Sequence, residues 1–166
     1  MGIIKVTNKL FTMHKLITTG LIALDTIMLL VLPLQTQEVK ANSSCTATVS
    51  AAQNRIETRR NVRVITRISD VSELYPDHPT ARPHEYELLL EGAASESIMN
   101  SPKFIKSIAA KIITNCNSVG SVTFGVNQTG WSYSVGLIQG KVQFFECLDY
   151  DGSDRKLNWG EQYCSL

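Results

Sequence analysis

Four cysteines, at positions 45, 116, 147 and 164, constrain this chain more than any other feature of its sequence. All of them follow a long apolar segment, and an even number of cysteines behind such a segment indicates two disulfides formed in an oxidising compartment. Four cysteines allow three pairings. We favour Cys116–Cys147, joining a helix end to a strand, together with Cys45–Cys164, joining the two ends of the domain. A zinc site is the alternative to disulfides, but the sequence has no C-x-x-C or H-x-x-x-H spacing to support it.

The apolar segment covers residues 16–34 and is preceded by lysines. A basic stretch followed by an apolar one is typical of a secretory signal peptide. The residues near position 41 predict cleavage after Ala41. Residues 1–41 would then form the signal peptide, and residues 42–166 a single globular domain. We expect this domain to be secreted or periplasmic. Initiation at Met13 gives a shorter leader of the same kind.

The same segment also suits an uncleaved membrane anchor, since about 20 apolar residues span a bilayer. Asp25 lies near its middle, where a carboxylate costs roughly 2.5–3.5 kcal/mol on the insertion scale. We expect membrane association only through this segment, and only if it stays uncleaved.

Residues 20–25 offer a third interpretation, because a glycine is followed five residues later by an acid and then by an apolar run. This arrangement resembles the processing site of type IV pilin-like proteins. The resemblance implies an assembly subunit with a long N-terminal helix, an antiparallel sheet and often a C-terminal disulfide. Asp25 stands where that family has glutamate, and the apolar run is short.

The domain itself carries one strong helical pattern, at residues 101–115. Ser101 is a suitable N-cap, Pro102 suits the first helical position, and apolar residues recur at steps of one and four. Residues 46–60 are ambiguous between a helix and an extended chain. The fold class is α+β, an antiparallel meander sheet packed by one main amphipathic helix and stapled by two disulfides. Period-two alternation predicts strands at residues 62–68, 85–91, 121–126, 131–138 and 141–150.

Charge and aromatic content argue against a nucleic-acid partner. The chain has 16 basic and 15 acidic residues, so its net charge of +1 provides no field that attracts a polyanion. Aromatic residues make up 7% of the chain, too few to favour a base-stacking surface. We therefore predict no binding to nucleic acid.

The loop before the second strand holds the first candidate for chemistry. Its acidic and imidazole side chains suit binding of a divalent metal or action as acid and base. Their spacing matches no metal motif, and a polar surface loop between two strands explains the same residues. The sequence therefore assigns no metal and no cofactor. The candidate residues are Asp77, His78, His84 and Glu85.

Aromatic side chains in the C-terminal third are the second candidate. Trp131, Tyr133 and Trp159 suit stacking on a sugar ring or contact with a partner protein. Burial in the core of a small sheet is the alternative. On the strand that holds Tyr133, the small residues Ser134 and Gly136 form the opposite face, which lies either under the helix or open to water.

Missing motifs contribute most to the functional prediction. The sequence contains no G-x-S-x-G, G-x-x-x-x-G-K-[ST], H-E-x-x-H or G-x-G-x-x-G motif, so we assign no catalytic residues and favour a binding protein over an enzyme. We expect a small exported, disulfide-stabilised binding module whose partner is an extracytoplasmic protein or a glycan. The alternatives are a small periplasmic or secreted hydrolase or metal-dependent enzyme that uses the His78–His84 loop, and a pilin-like assembly subunit.

Overall fold

The computed structural model of this chain describes residues 43–150, 152 and 155–164. The predicted signal peptide, its cleavage site, the alternative anchor and the pilin-like residues 20–25 lie outside the described residues. Within the described ranges, no helix has both the length and the apolarity needed to cross a membrane. All described residues fall in one compact unit of the chain.

Three helices and seven strands make up the described part of the chain. The helices are α1 (residues 43–57), α2 (Ser95–Met99) and α3 (Pro102–Asn115). The strands are β1 (Arg63–Asp70), β2 (His84–Glu91), β3 (Val119–Val126), β4 (Ser132–Ile138), β5 (Lys141–Phe144), β6 (Glu146–Leu148) and β7 (Glu161–Tyr163). The predicted main helix is confirmed as α3. The ambiguous segment 46–60 is helical through residue 57, and the predicted last strand is divided into β5 and β6.

Five strands form one sheet in the order β1-β2-β3-β4-β5, and β6 pairs with β7 in a separate parallel ribbon. The neighbours β1–β2, β3–β4 and β4–β5 are antiparallel. The β2–β3 pair is parallel because α2 and α3 connect these strands and return the chain to the same end of the sheet. The predicted α+β fold with a helix-packed, mostly antiparallel sheet is confirmed, and this parallel pair is its one departure from a meander.

The main core lies between α3 and one face of the sheet. The apolar stripe of α3 is buried, as its sequence period predicts, except at Phe104, which is half-buried. Each large apolar side chain buried here stabilises the fold by about 1.5–3 kcal/mol, so this layer is the principal source of stability. Its members include Ile105, Ile108, Ile112, Leu88, Leu90, Val122, Phe124 and Val135.

Helix α1 covers the open edge of β1. The backbone N–H of Val64 donates to the Glu57 carboxylate at 2.7 Å, and the Gln53 amide donates to the Val64 carbonyl at 3.1 Å. An uncovered edge strand leaves such groups unpaired and prone to association. Side chains of α1 therefore pair both edge groups of Val64, while Ile56 is buried in the core.

The disulfides join Cys45 to Cys116 and Cys147 to Cys164, so the pairing that we favoured is wrong. It failed because residues 43–57 form a helix, which places Cys45 beside Cys116 at the C-terminal end of α3, with 4.7 Å between their Cα atoms. The parallel pairing of β6 with β7 then brings Cys147 within 5.4 Å of Cys164. Both Cα separations suit a disulfide.

The small-residue face of β4 lies under the C-terminal segment, neither under a helix nor open to water. Ser134 is 8% exposed, and a Cβ atom on Gly136 would collide with the ring of Phe145. A second apolar cluster forms over this face from Phe145, Tyr75 and Trp159, together with Val71 and Leu157. This cluster can pack against the sheet because Gly136 has no side chain.

Candidate binding site

An open pocket of about 420 Å³ lies beside the turn between β4 and β5, and we call it the turn pocket. Its walls are Asp77, Pro79, Trp159 and residues 137–140. Gln139 and Gly140 have φ values of 50° and 77°, which the two-residue hairpin turn requires. This tight turn places Gln139 in the wall of the pocket.

Asp77 and Trp159, which are 82 positions apart, meet in this pocket. The backbone N–H of Trp159 donates to both carboxylate oxygens of Asp77, each at 3.0 Å. The indole Nε1 donates to the carbonyl of Leu137 at 3.0 Å, while the ring packs edge-to-face against Tyr75 and Phe145 with centroids 5.4 and 5.1 Å away. The structure thus unites one residue from each candidate set and holds the indole in a fixed position.

Tyr75 anchors the floor under Trp159. Its hydroxyl donates to the Glu161 carbonyl at 2.9 Å. Burial, followed by the negative charges of Glu85, Glu161 and Asp77, raises the pKa of Tyr75 to about 12. Tyr75 therefore acts as a neutral hydrogen-bond donor beneath Trp159.

Of the other members of the acidic and histidine set, His78 directly follows Asp77 in the loop, whereas His84 and Glu85 lie in β2. His78 Nδ1 is 2.9 Å from the Pro79 carbonyl, whereas His84 opens β2 and its buried Nδ1 makes no hydrogen bond among the described residues. In the described ranges, no three His, Cys, Asp or Glu side chains are arranged to hold a metal ion. The structure therefore does not gather Asp77, His78, His84 and Glu85 into one centre.

Glu85 instead heads a polar network beneath the C-terminal segment. One of its oxygens accepts hydrogen bonds from Ser121 at 2.8 Å and Thr123 at 2.9 Å, and Thr123 lies 2.7 Å from the Ser134 hydroxyl. The backbone N–H of Ser134 donates to Gln162 at 3.0 Å. Burial raises the pKa of Glu85, although the two hydroxyl donors oppose the rise. This network was not predicted from the sequence, where its signal is the alternation of small hydroxyl residues in β3 and β4.

Replacing Glu85 with Gln is expected to raise the free energy of unfolding at pH 7 by about 1 kcal/mol, because a desolvated charge is removed and an acceptor oxygen is kept. A carboxyl whose pKa is raised by folding stabilises the fold below its ordinary pKa of 4.5 and loses that contribution as the pH rises through the higher folded value. The advantage of Glu85→Gln should therefore grow from pH 4 to pH 8 in urea unfolding. A variant less stable than the wild type at pH 7 would contradict this account.

Trp131 and Tyr133 do not join Trp159. They lie on the helix side of the sheet against the main core, and Tyr133 continues to Phe144 in an edge-to-face contact with centroids 6.3 Å apart. A second open groove, of about 410 Å³, runs there along β5, and we call it the edge groove. It is lined by Met99, Asn100, Pro102, Tyr133, Phe144, Phe145 and Cys147.

Comparisons with protein-family models, with curated proteins and with solved structures give no match to this chain. The chemistry of the turn pocket itself is the basis for a functional assignment. It offers a carboxylate, a fixed indole and an amide around an open concavity, with apolar side chains between them. Such a combination of an apolar wall with a few polar groups is typical of ligand-binding sites.

Proposed function

We propose that this protein is an exported, disulfide-stabilised binding module that holds a glycan in the turn pocket. The observation that carries the proposal is the meeting of Asp77 and Trp159 at one open concavity. The basic and apolar leader pattern and the two disulfides support an extracytoplasmic setting, in which glycans are abundant surface ligands.

The groups in the pocket match the surface of a sugar ring. A sugar presents an apolar C–H face, which suits the indole of Trp159, and an edge of hydroxyl donors, which suits the carboxylate of Asp77. The amide of Gln139 both donates and accepts hydrogen bonds. The volume of about 420 Å³ lies in the range of roughly 300–1,000 Å³ found for small-ligand sites.

The position of the indole is fixed before any ligand arrives. Its Nε1 is held by the Leu137 carbonyl, and its backbone by Asp77. The disulfide Cys147–Cys164 encloses the segment that carries Trp159. A site ordered in advance loses less conformational entropy on binding, so a small contact area can still give measurable affinity.

Replacing Asp77 with Asn tests the proposal, because the shape is kept while one charged acceptor is lost. We expect wild-type protein to bind members of an array of immobilised oligosaccharides, and the variant to bind the best of them about 10–100-fold more weakly by calorimetry. That range corresponds to the loss of one hydrogen bond to a charged group.

Glu73→Gln is the matched control, since Glu73 is an exposed acid four residues before Asp77 and does not line the pocket. It should bind like the wild type. Equal affinity of the Asp77→Asn variant and the wild type, at unchanged melting temperature, would remove the turn pocket from the function. Failure of the wild type to bind any oligosaccharide would reject the glycan assignment.

A further inference from the structure

The edge groove leads to a disulfide. Cys147 lines the groove beside Met99, Phe144 and Phe145, and it is exposed on the short strand β6. Thiol–disulfide exchange requires a line of approach to one sulfur, and an apolar groove beside that sulfur can hold the body of the attacking molecule. Cys147 is therefore the more accessible residue of its disulfide, since Cys164 is half-buried.

The two disulfides differ sharply in this respect. Cys116 is 1% exposed and belongs to the main core, where Cys45 packs against it from α1. Cys45 is half-buried, so neither residue of that bond is exposed. Cys147 is exposed and Cys164 is half-buried, so the second bond is open to attack in the folded protein, at Cys147.

Gln162 supplies an independent observation on the same bond. Its side chain is 7% exposed, and its amide Nε2 lies 3.5 Å from Cys164 Sγ and 3.7 Å from Cys147 Sγ. The other end of the amide is held by the backbone N–H of Ser134 at 3.0 Å. A fixed N–H donor beside Cys164 stabilises the thiolate that leaves when Cys147 is attacked, and a better leaving group accelerates exchange.

We propose that Cys147–Cys164 is a reducible disulfide, that the edge groove receives a protein or peptide dithiol, and that Gln162 promotes the exchange. A thiolate of the dithiol attacks Cys147 Sγ, the Cys147–Cys164 bond breaks, and the electron pair leaves on Cys164 Sγ, which takes a proton from water. The second thiol of the dithiol loses its proton to water and attacks the first sulfur of the dithiol, so the mixed disulfide breaks and its electron pair leaves on Cys147 Sγ, which takes up a proton. The dithiol is oxidised to a disulfide, and the bond in this protein is reduced to two thiols.

Reduction would remove one restraint on the segment that carries Trp159, which is also held by Asp77 and by the Leu137 carbonyl. The bond closes a loop with a sequence separation of 17, and β6 is otherwise held to β7 by a ribbon of three residue pairs. Breaking it removes the covalent tie between the end of the domain and the edge groove. This proposal does not depend on the glycan proposal, since it rests on groups outside the turn pocket.

Reduced glutathione, a small thiol, is the probe for the site of attack. Folded protein is incubated with it, quenched with acid at timed intervals and analysed by peptide mass spectrometry. We expect the first glutathione adduct on Cys147, and opening of Cys147–Cys164 at least about ten-fold faster than opening of Cys45–Cys116. A first adduct on Cys164, or equal opening of both bonds, would overturn the proposal.

Two variants separate the role of Gln162 from simple packing. Gln162→Glu keeps an acceptor for Ser134 and loses the donor, and Gln162→Met loses both without adding charge. Each should slow adduct formation about five-fold, the effect of one hydrogen bond. A purely structural role predicts the opposite, faster attack on a loosened segment. Gln143→Met, which alters an exposed amide on β5, is the control and should react like the wild type.

Discussion

The double variant Cys45→Ala/Cys116→Ala is expected to lose about 4 kcal/mol of unfolding free energy, the largest loss that we predict. The bond spans a sequence separation of 71, and the enclosed chain includes α1, β1, β2, α2 and α3. Opening it returns the loop-closure entropy of that long segment to the unfolded state. Since Cys116 is 1% exposed, the missing sulfur also leaves a gap in the core.

The second disulfide provides the matched comparison. Cys147→Ala/Cys164→Ala opens a loop with a separation of only 17, for which the same entropy relation gives about 3 kcal/mol. Urea unfolding of both double variants and the wild type, without reductant, measures the difference directly. A greater loss in the Cys147→Ala/Cys164→Ala protein would show that the enclosed length does not control the stabilisation.

Helix α3 was predictable from local pattern alone. Its start at Pro102 and its buried stripe both follow from residues within one helix length of each other. The capping detail was different, because the Ser101 hydroxyl donates to the Ser97 carbonyl at 2.9 Å and makes no cap hydrogen bond to α3. The Ser97 carbonyl belongs to the preceding short helix, α2. The sequence around position 101 does not indicate this hydrogen bond.

Strand order was not predictable in the same way, because it depends on contacts between distant segments. The arginines of β1 lie opposite the glutamates of β2, with Arg63 facing Glu91 and Arg67 facing Glu87. No ion pair within 4.0 Å joins them among the described residues, so charge did not fix this register. The register is fixed instead by the burial of Val64 and Leu90, which lie on the opposite face of the strands from these charges. A slip by one residue would expose both side chains.

The turn pocket could not be predicted from the sequence for the same reason, because it depends on contacts between distant segments. Asp77 and Trp159 could each be singled out by residue type, but their meeting depends on the C-terminal segment folding back over β4. That return is possible because Gly136 leaves room for Phe145. A glycine in a strand signals close approach by another group, yet it does not say which segment approaches.

Replacing Arg82 with Ala is expected to cost about 3 kcal/mol of unfolding free energy, although sequence analysis gave this residue no role. Its Nη1 donates to the carbonyl oxygens of Ile113 and Val119, each at 2.8 Å, and of Cys116 at 3.3 Å. The last carbonyls of a helix have no partner within it, and a cation there also offsets the negative end of the helix dipole. Without Arg82, part-buried carbonyls around the C-terminal end of α3 lose a charged donor.

Two further variants make the expectation specific to this geometry. Arg82→Lys keeps the charge but lacks the planar fork of the guanidinium, so urea unfolding should show partial recovery relative to Arg82→Ala. Arg67→Ala removes an exposed arginine of β1 and should change stability by no more than about 0.5 kcal/mol. Equal losses in Arg82→Ala and Arg67→Ala would mean that the carbonyls at the end of α3 are satisfied by water, and that the loop before β2 contributes nothing to holding that helix.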